Sequence, residues 1–190
     1  MGKAARIKRE RKQGNLAVLN GMERREADEW RALEKAGLSL DDCLRQRRDF
    51  ELHPIHCAVG AKNIPAIRAL IAMDADLNAK ACDSPALNLA ACEGLNEIVK
   101  ILIGGGADID IVGGESQSTA LMIAAISEHE ETVKILIDAG ADLTKINAYG
   151  KTAADYSDLV EKVRAKRQAE ALVAKSGIVL GSGRGGGGAL

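Results

Sequence analysis

Apolar residues recur at helical spacing in two stretches that read almost alike. "EIVKILIGGGADID" (Glu97–Asp110) and "ETVKILIDAGADLT" (Glu131–Thr144) lie 34 residues apart and agree at nine of fourteen positions. In the first, Ile98, Ile101 and Leu102 fall on one side of a helix; in the second, Val133, Leu136 and Ile137 do. Gly106 and Gly140 follow the last helical residues, where a left-handed residue closes the final turn. Ala107 and Ala141 are small enough for a neighbouring layer to approach, and Asp108 and Asp142 suit turns in which a carboxylate accepts nearby amides. A shorter apolar run precedes each stretch: "PALNLAACEG" (Pro85–Gly94) and "TALMIAAISE" (Thr119–Glu128), with Ala90–Ala91 matching Ala124–Ala125. The predicted unit is a turn, a short helix, a reversal, a second helix and a glycine-ended loop.

The same template fits "HPIHCAVGAKNIPAIRALIAMDADLNAK" (His53–Lys80), 32 residues upstream, where Ala58, Leu70 and Asp76 align with Ala90, Leu102 and Asp108. "NAYGKTAADYSDL" (Asn147–Leu159) begins a fourth unit, with Thr152 in the place of Thr119. One thin helix pair cannot bury its apolar face alone, but stacked pairs bury each other's. A period of 32–34 residues with two helices per unit resembles the ankyrin repeat, whose first helix opens T-P-L-H-x-A. The matching pieces are "HPIHCA", "PALNLA", "TALMIA" and "GKTAADYS", closed by "DADLNA", "GGADID" and "GADLT". The resemblance spans residues 49–160 and implies an all-α fold, an α-solenoid of stacked helix-turn-helix units.

The departures carry expectations of their own. Asp74 stands where the family has Gly, and must enter the left-handed region. The tetrad His survives only as His56; Asn88 and Met122 replace it in the next two units, and Pro85 takes the place of Thr once. The hydrogen-bond network between repeats is therefore expected to be incomplete. The loop Ile111–Ser118 is one residue longer and lacks the usual Gly near its tip, so it is expected to be mobile or specialised.

A repeat array needs terminal layers with a polar outer side. Residues 15–48 read as an N-terminal helical cap, with Leu16, Leu19, Trp30 and Leu33 inward and Gly37 ending the helix. Residues 49–160 form the array. A C-terminal capping helix follows at 161–175, within an apolar pattern from Ser157 that points Leu159, Val160, Val163, Leu172 and Val173 at the stack. Residues 1–14 form a basic arm, and the Gly-rich tail 176–190 is expected to be disordered.

Composition narrows the function. The formal net charge is −1, yet residues 53–158 carry −8, while 1–52 carry +3 and 159–190 carry +4. Only Trp30, Phe50, Tyr149 and Tyr156 are aromatic, too few for a platform that stacks bases. Cys43, Cys57, Cys82 and Cys92 form no CxxC pair, which fits free thiols in a reducing cytoplasm. No apolar run approaches the roughly 20 residues of a membrane span. His53, His56 and Cys57 have metal-like spacing, but they occupy the tetrad slot and no second ligand pair follows. "GGG" at 104–106 sits at a helix C-terminus, the wrong dipole end for phosphate. No nucleophile elbow or phosphate loop is present. No enzyme activity, cofactor or metal is expected.

The family resemblance implies a binding face built from loop tips and the exposed turns of the first helices. Its first unit would contribute Asp49, Phe50, Leu52, Gly60 and Ala61, and its second Ala81, Cys82, Ser84, Cys92 and Glu93. The third would add Glu115, Ser116, Ser118, Ile126 and Ser127, and the partial fourth Ala148, Tyr149 and Lys151. The expected function is a monomeric cytoplasmic scaffold that binds another protein, one with a basic or mixed patch facing the acidic repeats. Two alternatives stand beside it. One is an adaptor that uses the basic residues of 3–12 and 162–167 on nucleic acid or an anionic surface, although nucleic acid is the disfavoured partner. The other is an inhibitor of one enzyme.

Overall fold

The structure, a computed structural model, describes residues 24–38 and 53–176. Phe50 and Leu52, the basic arm, the tail from residue 177, and Leu16 and Leu19 of the expected cap lie outside the described residues.

Eight helices and one small hairpin make up the described part. They are α1 (Arg24–Lys35), α2 (Pro54–Gly60), α3 (Ile64–Ala72), β1 (Lys80–Ala81), β2 (Ser84–Pro85), α4 (Ala86–Cys92), α5 (Asn96–Gly104), α6 (Ala120–Ile126), α7 (Glu130–Asp138) and α8 (Asp158–Ser176). Helices of seven and nine residues are too short to persist alone in water. Packing holds them. The first helices α2, α4 and α6 stack in sequence, the second helices α3, α5 and α7 form a parallel layer, and each first helix packs on its own second helix. The two look-alike phrases lie in adjacent layers, with α5 against α7. The fold is the predicted solenoid.

The repeated residues do repeated work. Leu70, Leu102 and Leu136 are each fully buried at the same place in successive second helices. Ala58, Ala90 and Ala124 are fully buried where the first helices meet, and only small side chains allow so close an approach. The buried face is wider than the periodicity indicated, since Val99 and Thr132 are also fully enclosed. Each helix reversal passes through a left-handed residue, Lys62 (φ 54°), Gly94 (φ 63°) or Glu128 (φ 58°). Gly106 and Gly140, both at φ 96°, close the second helices, and Asp74 does the same at φ 56° as its position requires. Asp108 and Asp142 accept the amides of Asp110 and Thr144 at 3.0 and 2.8 Å. A cross-layer series runs beside them. Asn78 Oδ1 accepts from Asp108 N at 2.8 Å, and Asp110 Oδ1 accepts from Asp142 N at 2.8 Å.

The tetrad network is partial, as its sequence foretold. His56 Nε2 donates to Ser84 O at 2.8 Å, and Asn88 Nδ2 donates to Ser118 O at 3.0 Å. An amide thus does for the second unit what an imidazole does for the first. Met122 is equally buried but has no donor, so the series stops there.

Both ends carry a helix. Trp30 and Leu33 of α1 are buried against α2 and α3, and Gly37 (φ 85°) ends that helix. Asn63 couples the cap to the array: its Oδ1 caps α3 by accepting Ala66 N at 3.0 Å, and its Nδ2 donates to Ala36 O at 3.2 Å. The fourth unit is cut short. Residues 153–156 form a turn in place of a first helix, and α8 begins at Asp158. The Asp155 carboxylate accepts the Thr152 amide at 2.7 Å and its hydroxyl at 2.8 Å, which closes that turn locally. Helix α8 packs on α7 through buried Val160 and half-buried Leu159 and Val163. Leu172, expected to face the stack, is 68% exposed. The reason is length: nineteen residues of α8 run about 28 Å while nine of α7 run about 13 Å, so the far half of α8 overhangs its neighbour. The side chain of Val173 lies outside the described part.

Candidate partner-binding face

Three loop tips form a connected row. The first is the β1–β2 hairpin, whose turn residues Cys82 and Asp83 both have positive φ, 52° and 57°. The second is the loop expected to be mobile or specialised, and hydrogen bonds tie it to its neighbour. Gly113 and Ser118 exchange backbone hydrogen bonds at 3.1 Å, Gly114 N donates to Asp83 O at 2.8 Å, and Gln117 Nε2 donates to Asp83 Oδ2 at 3.0 Å. Gly113 is needed for this stacking, because a Cβ there would lie 2.5 Å from Pro85 Cδ and 2.7 Å from Asp83 O. The third tip carries Tyr149 and joins the second where Ala148 N donates to Ser116 O at 2.9 Å.

Asn147 holds the third tip in shape. Its side-chain oxygen accepts the amides of Tyr149 at 3.0 Å and Lys151 at 3.1 Å, and its Nδ2 donates to the Tyr156 hydroxyl at 2.8 Å. Sequence reasoning passed over Asn147, although Asn at the head of a turn is itself a signal for this motif. The result is an aromatic ring 70% exposed on a backbone that is already fixed. Ile126, at the end of α6, is 52% exposed, and Ile146, also missed, is 63% exposed.

The remaining sequence-selected residues divide. Cys82, Cys92, Glu93, Glu115 and Lys151 are exposed, and Ser84, Ser116 and Ser127 are half-buried. Ser118 is a correction: it is 1% exposed, its carbonyl accepts from Asn88 and its hydroxyl lies 2.9 Å from that of Ser116. That side chain helps to close the stack and offers nothing to a partner. Glu93 forms an ion pair with Lys62 at 3.3 Å across two units, and Asp83 pairs with Lys80 at 3.4 Å. Glu115 and Glu128, both exposed, have no ion-pair partner among the described residues.

The chemistry of the cluster at the start of α2 is structural. His56 Nε2 is taken up by Ser84 O, and the His53 and His56 rings meet edge to face at 6.2 Å. Among the described residues no three His, Cys, Asp or Glu side chains gather as metal ligands, and no helix is long and apolar enough to cross a membrane. Two carboxyls are held below the usual aspartate range by donors next to them. The Thr144 hydroxyl and amide act on Asp142, and the Thr152 amide and hydroxyl act on Asp155.

The model of the family described as ankyrin repeats (3 copies) matches residues 29–113 and again 87–159, most of the chain between them. The chain belongs to the ankyrin-repeat family. Its fold is similar to a solved structure, the ankyrin repeat domain of Bcl-3, a member of the IkappaB protein family, with a TM-score of 0.56 and 23% identity. That match covers 60% of this chain and 51% of the other, so this ankyrin-repeat chain spans about half the length of that structure. At such identity the likeness concerns the fold. A search of curated protein sequences gives no match. Ankyrin repeats generally mediate protein–protein interaction and are typically non-enzymatic modules.

Proposed function

We propose that this ankyrin-repeat protein is a non-enzymatic scaffold that holds another protein against its row of loop tips and first-helix ends. Tyr149 is the anchor of that face. One observation carries the reading: a backbone fixed by Asn147 presents an exposed aromatic ring on a tip that Ala148 ties to Ser116, the neighbour of exposed Glu115. A large ring with few rotatable bonds loses little freedom on binding, which is why such side chains act as hot spots. The net charge of −8 over residues 53–158 favours a partner with a basic or mixed patch, mainly by raising encounter rate and fixing orientation.

The test begins by crosslinking in cell lysate and identifying the captured protein by mass spectrometry. Its affinity is then measured for the parent chain and for the triple variant Tyr149→Ala, Glu93→Ala, Glu115→Ala. A loss of at least tenfold is expected, since one aromatic hot spot alone is worth about 2 kcal/mol or more. Unchanged affinity for every specific partner would remove this face from consideration.

A further inference from the structure

On the opposite side of the array, the second helices leave two hollows that no repeat contact requires. One, about 450 Å³, lies between α5 and α7; the other, about 360 Å³, lies between α3 and α5. Gly104, the last residue of α5, borders both, so they join there into one furrow. Ile71 and Ile101 line one hollow, and Ile103 and Ile135 line the other. Three of the four are only half-buried, although the periodicity had assigned Ile101 to the core.

Gly104 has no local reason to be glycine. It is the last residue of α5, its backbone does not take the left-handed conformation that favours glycine, and a Cβ built on it meets nothing within 4 Å. Its neighbour Gly105 differs, because a Cβ there would come within 2.8 Å of Ile71 Cδ1. Packing explains Gly105 and leaves Gly104 unexplained.

Charge beside the furrow is mixed: three cations border it, and the acidic Glu131 and Asp138 line the hollow between α5 and α7. Arg68, Lys100 and Lys134 occupy one register of α3, α5 and α7, and all three border the hollows. Lys134 pairs with Glu131 at 3.6 Å. Arg68 and Lys100 are exposed and have no ion-pair partner among the described residues. Arg68 and Lys100, beside an apolar furrow in a stretch (residues 53–158) of net charge −8, select an occupant that is apolar on one side and acidic on the flank nearest α3 and α5.

We propose that this furrow is a second docking site, for an acidic amphipathic helix of a partner protein. The helix crosses α5 over Gly104, where the missing side chain permits close approach. It places aliphatic side chains in the two hollows and carboxylates beside Arg68 and Lys100. Helix-in-groove recognition needs this combination of aliphatic pockets and flanking charge. The site is separate from the Tyr149 face and stands or falls independently of it.

The probe is a labelled peptide of about 18 residues, long enough to hold a helix, with Leu at i, i+3, i+4 and i+7 and Glu alongside. Its binding to the full chain is followed by fluorescence anisotropy and by the backbone amide shifts of Gly104 and Gly105. The Leu/Glu peptide is expected to bind and to move those two signals. Gly104→Trp, which fills the furrow, and the pair Arg68→Glu with Lys100→Glu should each weaken binding at least tenfold. Tyr149→Ala should leave it within twofold. A peptide with Lys in place of Glu should bind at least tenfold more weakly. Thermal melts confirm folding of each variant, and the surface charge pair provides the test should Gly104→Trp fail to fold. Absent binding, equal binding of both peptides, or binding untouched by these variants would overturn the proposal. So would self-association abolished by Gly104→Trp, which assigns the furrow to a second copy. The same holds if the Gly104 signal moves on deleting residues 1–23 or 177–190, which assigns it to the chain's own ends.

Discussion

Leu102→Ala tests the layered packing most directly. Leu102 lies in the middle of α5, is fully buried, and has its counterparts Leu70 and Leu136 in the layers on either side. Truncation removes three carbon groups, a transfer loss of about 2.4 kcal/mol at roughly 0.8 each. The cavity adds to this, because helices held on both sides cannot collapse fully onto the gap, and the total falls at about 2.5–5 kcal/mol. A chain of this kind has about 5–15 kcal/mol in hand, so the variant keeps its fold but loses much of its margin. Urea unfolding followed by helical circular dichroism should show the midpoint lowered by about 1–3 M. Leu70→Ala and Leu136→Ala should cost similar amounts, as both are equally buried. The double variant Leu70→Ala, Leu136→Ala should be additive within about 0.5 kcal/mol, since a whole layer separates the two sites. A cost below about 1 kcal/mol for Leu102→Ala would refute the reasoning. So would strong coupling between the two outer sites.

Further outcomes follow from single positions. Gly94→Ala should destabilise by about 1–3 kcal/mol, because the residue has φ 63° and its new Cβ would lie 2.8 Å from the His129 ring; Gly104→Ala should be neutral or stabilising by up to about 1 kcal/mol, and paired thermal melts compare them. Asp142 and Asp155 have folded-state pKa values below 3.8, so the stability they contribute is present above that value and is lost as pH falls through the lower folded value. Acid unfolding curves of Asp155→Asn should therefore be flatter than those of the parent below about pH 4, and an unchanged slope would contradict the assignment. Loss of partner affinity in the Tyr149, Glu93 and Glu115 variant, and of peptide affinity in Gly104→Trp, test the two faces separately.

The sequence alone determined the repeating unit, because each layer meets the same packing problem and answers it with the same residues at the same spacing. Leu70, Leu102 and Leu136, the paired alanines and the closing residues Asp74, Gly106 and Gly140 were all legible for that reason. The chemistry within a residue was legible too: Met122 cannot donate, and the tetrad series ends at it. Contacts between units were not legible, since they depend on which atoms the stack brings together. Only the tertiary structure put Ser118 inside, tied the 111–118 loop to Asp83, and set Tyr149 on a turn fixed by Asn147. It also left the end of α8 without a neighbour among the described residues and opened a furrow at Gly104 between helices that the periodicity treated as uniformly packed. Periodicity reports which way a side chain faces along one helix; how closely the next helix approaches is set by the side chains of both.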